Sequence, residues 1–360
     1  MIKLLVPDMP TADDLLPYLR LIDRARIYVN RGPLVQELEA RLEQITGAPC
    51  VAVSNGTVAL DLALKTLNID ESCDDDGIAY RSFIAVPALT FSASGLSILA
   101  NRLTPVLCDA DDHWQLTPQA VANHVTNLRR HYRELEAVMP VATFGRPVDV
   151  RQWEGYSVPI VIDAAGAFPQ QEISRDPNVI TCFSLHATKF IGCGEGGFVA
   201  SHNKALIERV RDLSMFGEGG TNAKMSEYHA AVALASLDQM EEKKKRTQQV
   251  ADWYAKHVIQ LPIMETTIWG ATSTMLNLLL PIPVTPDLVN KLLDEGIETK
   301  QWYRPYLDER AEFGPHEPGR FPMTDHLREH LLGIPFHNFI TEADVAHVCS
   351  TLRKLLPANK

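Results

Sequence analysis

Seven short apolar runs, each closed by turn or polar residues, constrain this chain more than any other feature. They lie at 50–53, 83–86, 105–108, 138–142, 158–162, 180–184 and 197–201, with helical patterns following the first two at about 58–67 and 91–100. Short apolar strands alternating with helices predict an α/β fold: a mostly parallel sheet with helices on both faces. Pro159 has no N–H to give to a ladder, so the strand at 158–162 is expected to begin at Ile160. The first fifty residues read as helical, with Leu38, Leu42 and Ile45 on one face of the stretch 34–46 and a turn at 30–33 before it. From about 226 to 257 the pattern is helical throughout, and its charged run 241–246 reads as the solvated face of a long connecting helix. A strand at 275–280, helices at 286–294 and 342–355, and a loop at 314–323 then describe a smaller α+β C-terminal domain. The expected division is a large domain over residues 1–235 and a small one over 236–360.

A chain of 360 residues has room for two cores, and 46% hydrophobic with 22% charged residues is the balance of a soluble globular protein. A formal net charge of −11 argues against nucleic acid or an anionic membrane as partner, although local cations and helix N-termini still allow an anionic small molecule. The opening MIKLLVPDMPTADD lacks the pattern of a signal peptide, and no apolar run reaches the length of a membrane span. Cys50, Cys73, Cys108, Cys182, Cys193 and Cys349 form no CxxC pair. Free thiols in the cytoplasm are therefore expected, with neither a disulfide framework nor a metal site.

The stretch SLHATKFIGCGEGG (184–197) places Gly192, Gly194 and Gly197 in the GxGxxG spacing of a dinucleotide clamp. Such a clamp needs a strand before the glycines and a helix opening at them, so that the helix N-terminus meets a pyrophosphate. Here a strand, Gly197-Phe198-Val199-Ala200, follows instead. A close-packed glycine hairpin and a presented lysine, Lys189, are the remaining readings.

Asp163 closes the run Ile160-Val161-Ile162. A carboxylate at the end of a buried strand is costly without a cationic partner, and the ring nitrogen of pyridoxal 5'-phosphate is one such partner. Lys189 follows a later strand; burial beside a cationic ring would lower its amine pKa and make it nucleophilic. A phosphate needs N–H groups and hydroxyls at a helix start, which Gly56 and Thr57 supply after the first strand and Ser184 beside it. Phe91, at a strand-to-helix junction, has an aromatic face to lay on a ring. Singly, each has an ordinary alternative: a turn carboxylate, a surface lysine, an N-cap, a core phenylalanine.

The segments SNGTVAL (54–60), DAAGAF (163–168), SLHATKFIGCGEGG (184–197), GGTNAKMSEYHAA (219–231), YVNRGPLVQELE (28–39) and GIETKQWYRPYL (296–307) resemble the DegT/DnrJ/StrS family of sugar aminotransferases, from about residue 20 to 350. The resemblance implies a fold-type I pyridoxal-phosphate transferase, active as a homodimer with shared active sites. By motif position Lys189 would carry the cofactor covalently and shuttle a proton as catalytic base and acid. Asp163 would pair with the ring nitrogen; Gly56, Thr57 and Ser184 would hold the phosphate; and Phe91 would stack on the ring. Asn222 would reach the phosphate from the partner chain. Tyr28, Asn30, Arg31, His186, Lys224 and Tyr303 would contact substrate. The implied reaction moves an amino group from L-glutamate to a nucleotide keto-sugar, closest to a dTDP-4-keto-6-deoxyhexose. An aminocyclitol or 3-keto substrate, or a non-catalytic ligand sensor of the same fold, are the alternatives. Family members that dehydrate sugars have His in place of the lysine, so Lys189 favours transamination. Gly166 stands where the family commonly has a polar residue, which would leave the ring's phenolic oxygen without that partner and the pocket roomier. Lys224 replaces a usual Arg, and Leu185 a common aromatic.

Overall fold

The computed structural model describes residues 1–69, 82–128, 135–267, 270–314 and 320–357, so Cys73 and residues 315–319 of the expected 314–323 loop lie outside the described residues. The chain opens with α1 (Ala12–Ala25) and α2 (Pro33–Thr46), followed by β1 (Cys50–Val53), α3 (Gly56–Thr66), β2 (Phe83–Pro87), α4 (Ser92–Ala100), β3 (Thr104–Cys108), α5 (Pro118–Leu128) and β4 (Leu135–Val138). Next come β5 (Ile160–Asp163), β6 (Val179–Ser184), β7 (Gly197–Ala200), α6 (Lys204–Ser214), α7 (Glu227–Asp238) and α8 (Met240–Val258). The last part holds β8 (Glu265–Thr266), β9 (Leu276–Leu279), α9 (Pro286–Asp294), α10 (Pro322–His330), β10 (Leu331–Ile334) and α11 (Glu342–Leu355).

Among the described residues a seven-stranded sheet runs in the order β1-β7-β6-β5-β4-β2-β3. β2 through β6 pair in parallel, while β7 is antiparallel to both β1 and β6. This is the mostly parallel α/β sheet expected, with β7 as its one reversed strand. Adjacent strand residues enter opposite cores: Ala52, Ile160 and Ile162 pack in one, and Val51, Val53 and Val161 in the other. Both faces are covered, which is why the runs read as continuously apolar rather than alternating.

A second sheet, β10-β9-β8, has its own apolar core with α8, α9 and α11. The first residues join this part rather than the helical N-terminal region: Ile2 bridges Ile297, and Phe336 donates its N–H to the Leu4 carbonyl.

Two expectations are corrected. The single helix over 226–257 is two, α7 and α8, separated at Gln239, whose φ of −91° and ψ of 3° leave the helix. No Gly or Pro marks the break; α7 buries alanines in the larger core, packed on α1 and α2, whereas α8 buries Val250, Ala251 and Tyr254 in the smaller core. The run 138–142 is not a strand throughout, since β4 ends at Val138 and Pro140 interrupts the ladder. Pairing resumes only as a single Val141–Asp163 bridge. Helices α5, α6 and α10 were not read from the sequence. β5 does begin at Ile160, as Pro159 requires.

Among the described residues no helix is long and apolar enough to cross a membrane, and no group of three His, Cys, Asp or Glu is arranged to hold a metal ion. The five described cysteines are free and buried.

Candidate functional site

The carboxyl ends of the parallel strands meet along one edge of the sheet, the place where open α/β sheets bind ligands. Asp163 ends β5, Ser184 ends β6, Gly56 and Thr57 open the helix after β1, and Phe91 follows β2.

The glycine stretch is the connection between antiparallel neighbours β6 and β7, with Ser184 opposite Gly197 in register. Its backbone is tied internally, Leu185 N–H to the Gly196 carbonyl at 2.8 Å, Ala187 to Gly194 at 2.9 Å and Lys189 to His186 at 2.8 Å. A strand follows and no helix opens there, so the dinucleotide reading fails. A β-carbon on Gly197 would stand 2.6 Å from the Asn55 carbonyl carbon, and one on Gly56 2.8 Å from Ser184 Cβ. Glycine at both positions lets the hairpin lie directly on the 54–57 turn and brings Ser184 to the start of α3.

Asn55 caps α3 by accepting the Val58 N–H at 2.9 Å. Gly56 and Thr57 are the first residues of that helix, whose leading N–H groups have no partner within a helix. These donors, the positive end of the helix dipole and the Ser184 hydroxyl are groups that can hold an anion.

Asp163 is only 5% exposed. Its carboxylate accepts from Ser94 Oγ at 2.7 Å and from the Ala165 N–H at 3.1 Å. Burial raises its pKa above the usual carboxylate range, while Ser94, Ala165 and the Lys189 charge act the other way. Lys189 keeps some accessible surface, but the protein around its amine lowers the pKa through desolvation, against the pull of Asp163. Each group is thus biased toward neutrality. A cationic ring opposite Asp163 would offset the cost of its charge, and a neutral Lys189 amine is a nucleophile.

Phe91 is 60% exposed, so it is a cleft residue and not a core one. Its ring meets Tyr303 edge-on at 6.0 Å between centroids; Tyr303 stacks on Phe144 at 5.2 Å, and burial with the Asp163 charge raises the Tyr303 phenol pKa. Asp163, Lys189, Ser184, Gly56, Thr57, Phe91 and Tyr303 therefore cluster at this edge of the sheet. His186 flanks it, its Nδ1 2.9 Å from Thr188 Oγ1 and its Nε2 3.9 Å from Glu195.

Tyr28, Asn30, Arg31, Lys224 and Asn222 form a second group, whose 222–224 segment runs beside the end of β1, with the Ser54 N–H donating to the Ala223 carbonyl at 2.8 Å. Tyr28 stacks on Tyr228 at 6.2 Å, and Asn30 and Arg31 both have positive φ. Arg31 pairs with the buried Glu39 at 2.8 Å, and Glu39 also holds Arg211 at 3.1 Å. Lys224 lies 4.2 Å over the Phe216 ring and bridges Val53, while Asn222, exposed, bridges Met215.

The expected roomier pocket at Gly166 is not found. A β-carbon there would touch the Gly145 Cα and N at 3.4 Å, and one on Gly145 would stand 2.7 Å from the Gly166 carbonyl oxygen. The missing side chain makes way for the turn Thr143–Gly145, which carries Phe144 against Tyr303. Phe144, Ser94 and Thr90 are cleft or supporting residues that sequence reasoning missed. Ser94 had one faint signal, a hydroxyl one turn past Phe91.

A carboxylate for a protonated ring nitrogen, a helix N-terminus with hydroxyls for a phosphate, and a primary amine for a carbonyl lie within one cleft. That donor set fits pyridoxal 5'-phosphate. Comparison with known proteins agrees with the chemistry. A model of the DegT/DnrJ/EryC1/StrS aminotransferase family matches residues 11–353. The chain is 24% identical to a dTDP-4-amino-4,6-dideoxy-D-glucose transaminase of Shigella dysenteriae, covering 97% of each. It is 27% identical to GDP-perosamine synthase of Escherichia coli O157:H7, over 90% of this chain and 91% of that one. The crystal structure of DesI in the presence of its TDP-sugar product superposes with a TM-score of 0.83 at 29% identity, over 97% of this chain and 92% of that one.

Proposed function

The chain belongs to the DegT/DnrJ/EryC1/StrS aminotransferase family, whose members depend on pyridoxal 5'-phosphate, and from that premise we propose that it aminates a nucleotide-linked keto-sugar with L-glutamate as amino donor. The observation that carries the reading is the buried Asp163 facing Lys189, with Ser184 and the α3 N-terminus alongside. The nucleotide-sugar part is supported by relatives named for dTDP- and GDP-sugar amination. A dTDP-4-keto-6-deoxyhexose is the acceptor we favour.

Bound in the cleft, the cofactor supplies an electron sink beside the substrate carbon that loses a proton. The chain's own residues do the rest. Asp163 stands opposite the ring nitrogen and favours its protonated form. Gly56, Thr57 and Ser184 donate to the phosphate, and Phe91 covers a ring face. Lys189 would hold the cofactor through its amine, and its free Nζ would take and return the substrate proton, which requires the neutral form that burial favours. Tyr303 and His186 border the substrate side of this cleft. The cluster of Tyr28, Asn30, Arg31 and Lys224, with Asn222, serves the second active site of a homodimer, where Asn222 reaches the phosphate. On the same reading residues 1–235 hold the cofactor and residues 236–360 form the smaller domain bordering the cleft.

The test is spectroscopic and stepwise. The purified chain with pyridoxal phosphate should gain a near-ultraviolet-to-visible band that borohydride fixes onto Lys189, and Lys189→Ala should not be fixed. L-Glutamate should then shift the band with release of 2-oxoglutarate, and dTDP-4-keto-6-deoxyhexose should restore it. A native chain that never acquires the band would refute the enzyme reading. Restoration by a different keto-substrate would refute only the sugar.

A further inference from the structure

A short run of buried hydroxyls ends on Asp163. Ser94 Oγ is 2.7 Å from Asp163 Oδ2, and Thr90 Oγ1 is 2.8 Å from Ser94 Oγ. Ser94 is fully buried and Thr90 is 2% exposed, so water does not compete for these bonds. A hydroxyl has one proton. If Ser94 gives its proton to the carboxylate, the Thr90–Ser94 bond must run from Thr90 to Ser94. The chain of donors then has a single direction, ending on Asp163.

The backbone explains why these two residues are where they are. Phe91 is the N-cap of α4, Thr90 precedes it, and Ser94 is the third residue of the helix, its N–H bonded to the Phe91 carbonyl at 3.3 Å. One turn therefore presents the Phe91 ring to the cleft and aims a hydroxyl at the carboxylate. The first turn of α4 also brings its positive dipole end toward Asp163.

We propose that Thr90 and Ser94 are positioning residues, a one-way pair of hydroxyl donors that favours the ionised form of the buried Asp163 carboxylate against the effect of burial. This rests on the reading of Asp163 as the partner of a protonated ring nitrogen, a role it can fill only as an anion. The other titratable groups facing Asp163 are Lys189 from the hairpin, Cys182 from β6 and Tyr303 from the segment after α9. Of these only Lys189 favours the anion. Donated hydrogen bonds to the charged form oppose the desolvation that favours the acid.

Carboxyl 13C titration of the aspartate-labelled chain without cofactor tests this, with the Asp163 signal assigned by its loss in Asp163→Asn. Ser94→Ala should move the Asp163 midpoint to higher pH by about one unit, and Thr90→Val, which keeps the shape and removes one proton, should move it less in the same direction. Ser94→Thr keeps the hydroxyl and should titrate close to the native chain. An unmoved midpoint in Ser94→Ala overturns the proposal. So does a Ser94→Thr midpoint displaced as far as that of Ser94→Ala, which would point to packing. Should Ser94→Ala fail to fold, Thr90→Val decides alone: an unmoved midpoint overturns the proposal and a raised one supports it. Pyridoxal phosphate affinity, measured by absorbance titration, separates this idea from the one it rests on. Native affinity in Asp163→Asn would remove the cofactor role of Asp163, while a raised midpoint in Ser94→Ala would still establish the hydroxyl pair.

Discussion

Gly56 lies against Ser184 so closely that a β-carbon on residue 56 would stand 2.8 Å from Ser184 Cβ and 3.2 Å from its Oγ. The helix start and the strand end thus form one surface, and the glycine is what lets them touch. Gly56→Ala should push the hairpin carrying Lys189 off the α3 N-terminus. The expected outcome is a chain that folds but binds pyridoxal phosphate at least about tenfold more weakly, the loss of one or two charge-assisted hydrogen bonds. Absorbance titration reads the affinity, and far-ultraviolet circular dichroism checks the fold. Native affinity would place the phosphate elsewhere.

Asp163 makes stability depend on pH in a direction opposite to that of most carboxylates. Its folded-state pKa is raised, chiefly by burial, so the folded chain binds more protons than the unfolded one between 3.8 and the folded value. Stability from this group is therefore present at low pH and falls as pH rises through that window. Asp163→Asn, without cofactor, should resist urea better than the native chain at pH 7, and the difference should shrink as pH falls toward 3.8. The same variant should bind the cofactor poorly, a gain in stability at the expense of function. Urea midpoints at a series of pH values measure it; a native chain more stable than Asp163→Asn at pH 7 would contradict the burial argument.

Gly145 and Gly166 are in mutual contact but are not equally replaceable. At Gly145 the φ of +86° and a carbonyl oxygen 2.7 Å from the would-be β-carbon both forbid a side chain. Gly145→Ala should cost about 1–3 kcal/mol of folding free energy. At Gly166 the same atom would meet its neighbours at 3.4 Å, an ordinary contact, so Gly166→Ala should fall within about 0.5 kcal/mol of the native chain. Denaturant unfolding of the two variants side by side distinguishes them.

Glu227 is a buried acid on α7 whose carboxylate accepts the N–H groups of Leu34 at 2.7 Å and Val35 at 3.2 Å, capping the start of α2 and anchoring the 28–33 loop. Glu227→Ala leaves those donors buried without a partner and should destabilise the chain by about 2–3 kcal/mol. Denaturant unfolding checks the loss. Little or none would mean that the N–H groups find water.

The cleft residues that were legible in the sequence share one property: they are chemically expensive where they stand. Asp163 at the end of an apolar strand and Lys189 just ahead of a run of glycines ask for an explanation on charge alone, and the Gly56–Thr57 helix start follows from a strand meeting a helix. Ser94 and Thr90 ask for none, because a hydroxyl near a helix start is commonplace and its partner, Asp163, is 69 residues away in the chain. Distance in sequence hid Glu227 in the same way. In the fold, Pro140 was visible but its effect on β4 was not, since an interrupted ladder and a continuous one have the same apolar pattern. The break at Gln239 was invisible because α7 and α8 part to serve two different cores, a tertiary reason with no local sign.

Asn222 provides the decisive test of whether two chains share an active site. It sits with Lys224 on the segment beside the end of β1, exposed, and Lys189 lies on the hairpin beyond β6. If each site joins Lys189 of one chain to Asn222 of the other, a mixed dimer of Lys189→Ala and Asn222→Ala chains has one site with both defects and one with neither. Each homodimer should be impaired, Lys189→Ala completely. Co-expression, or mixing after mild denaturation, should recover transamination that neither parent preparation shows. Recovery should depend on exchange of chains and disappear when each variant is cross-linked as a homodimer beforehand. If Asn222 instead serves the site of its own chain, every site in the mixture retains one defect and mixing recovers nothing. Glutamate-dependent release of 2-oxoglutarate, measured before and after mixing, separates the two arrangements.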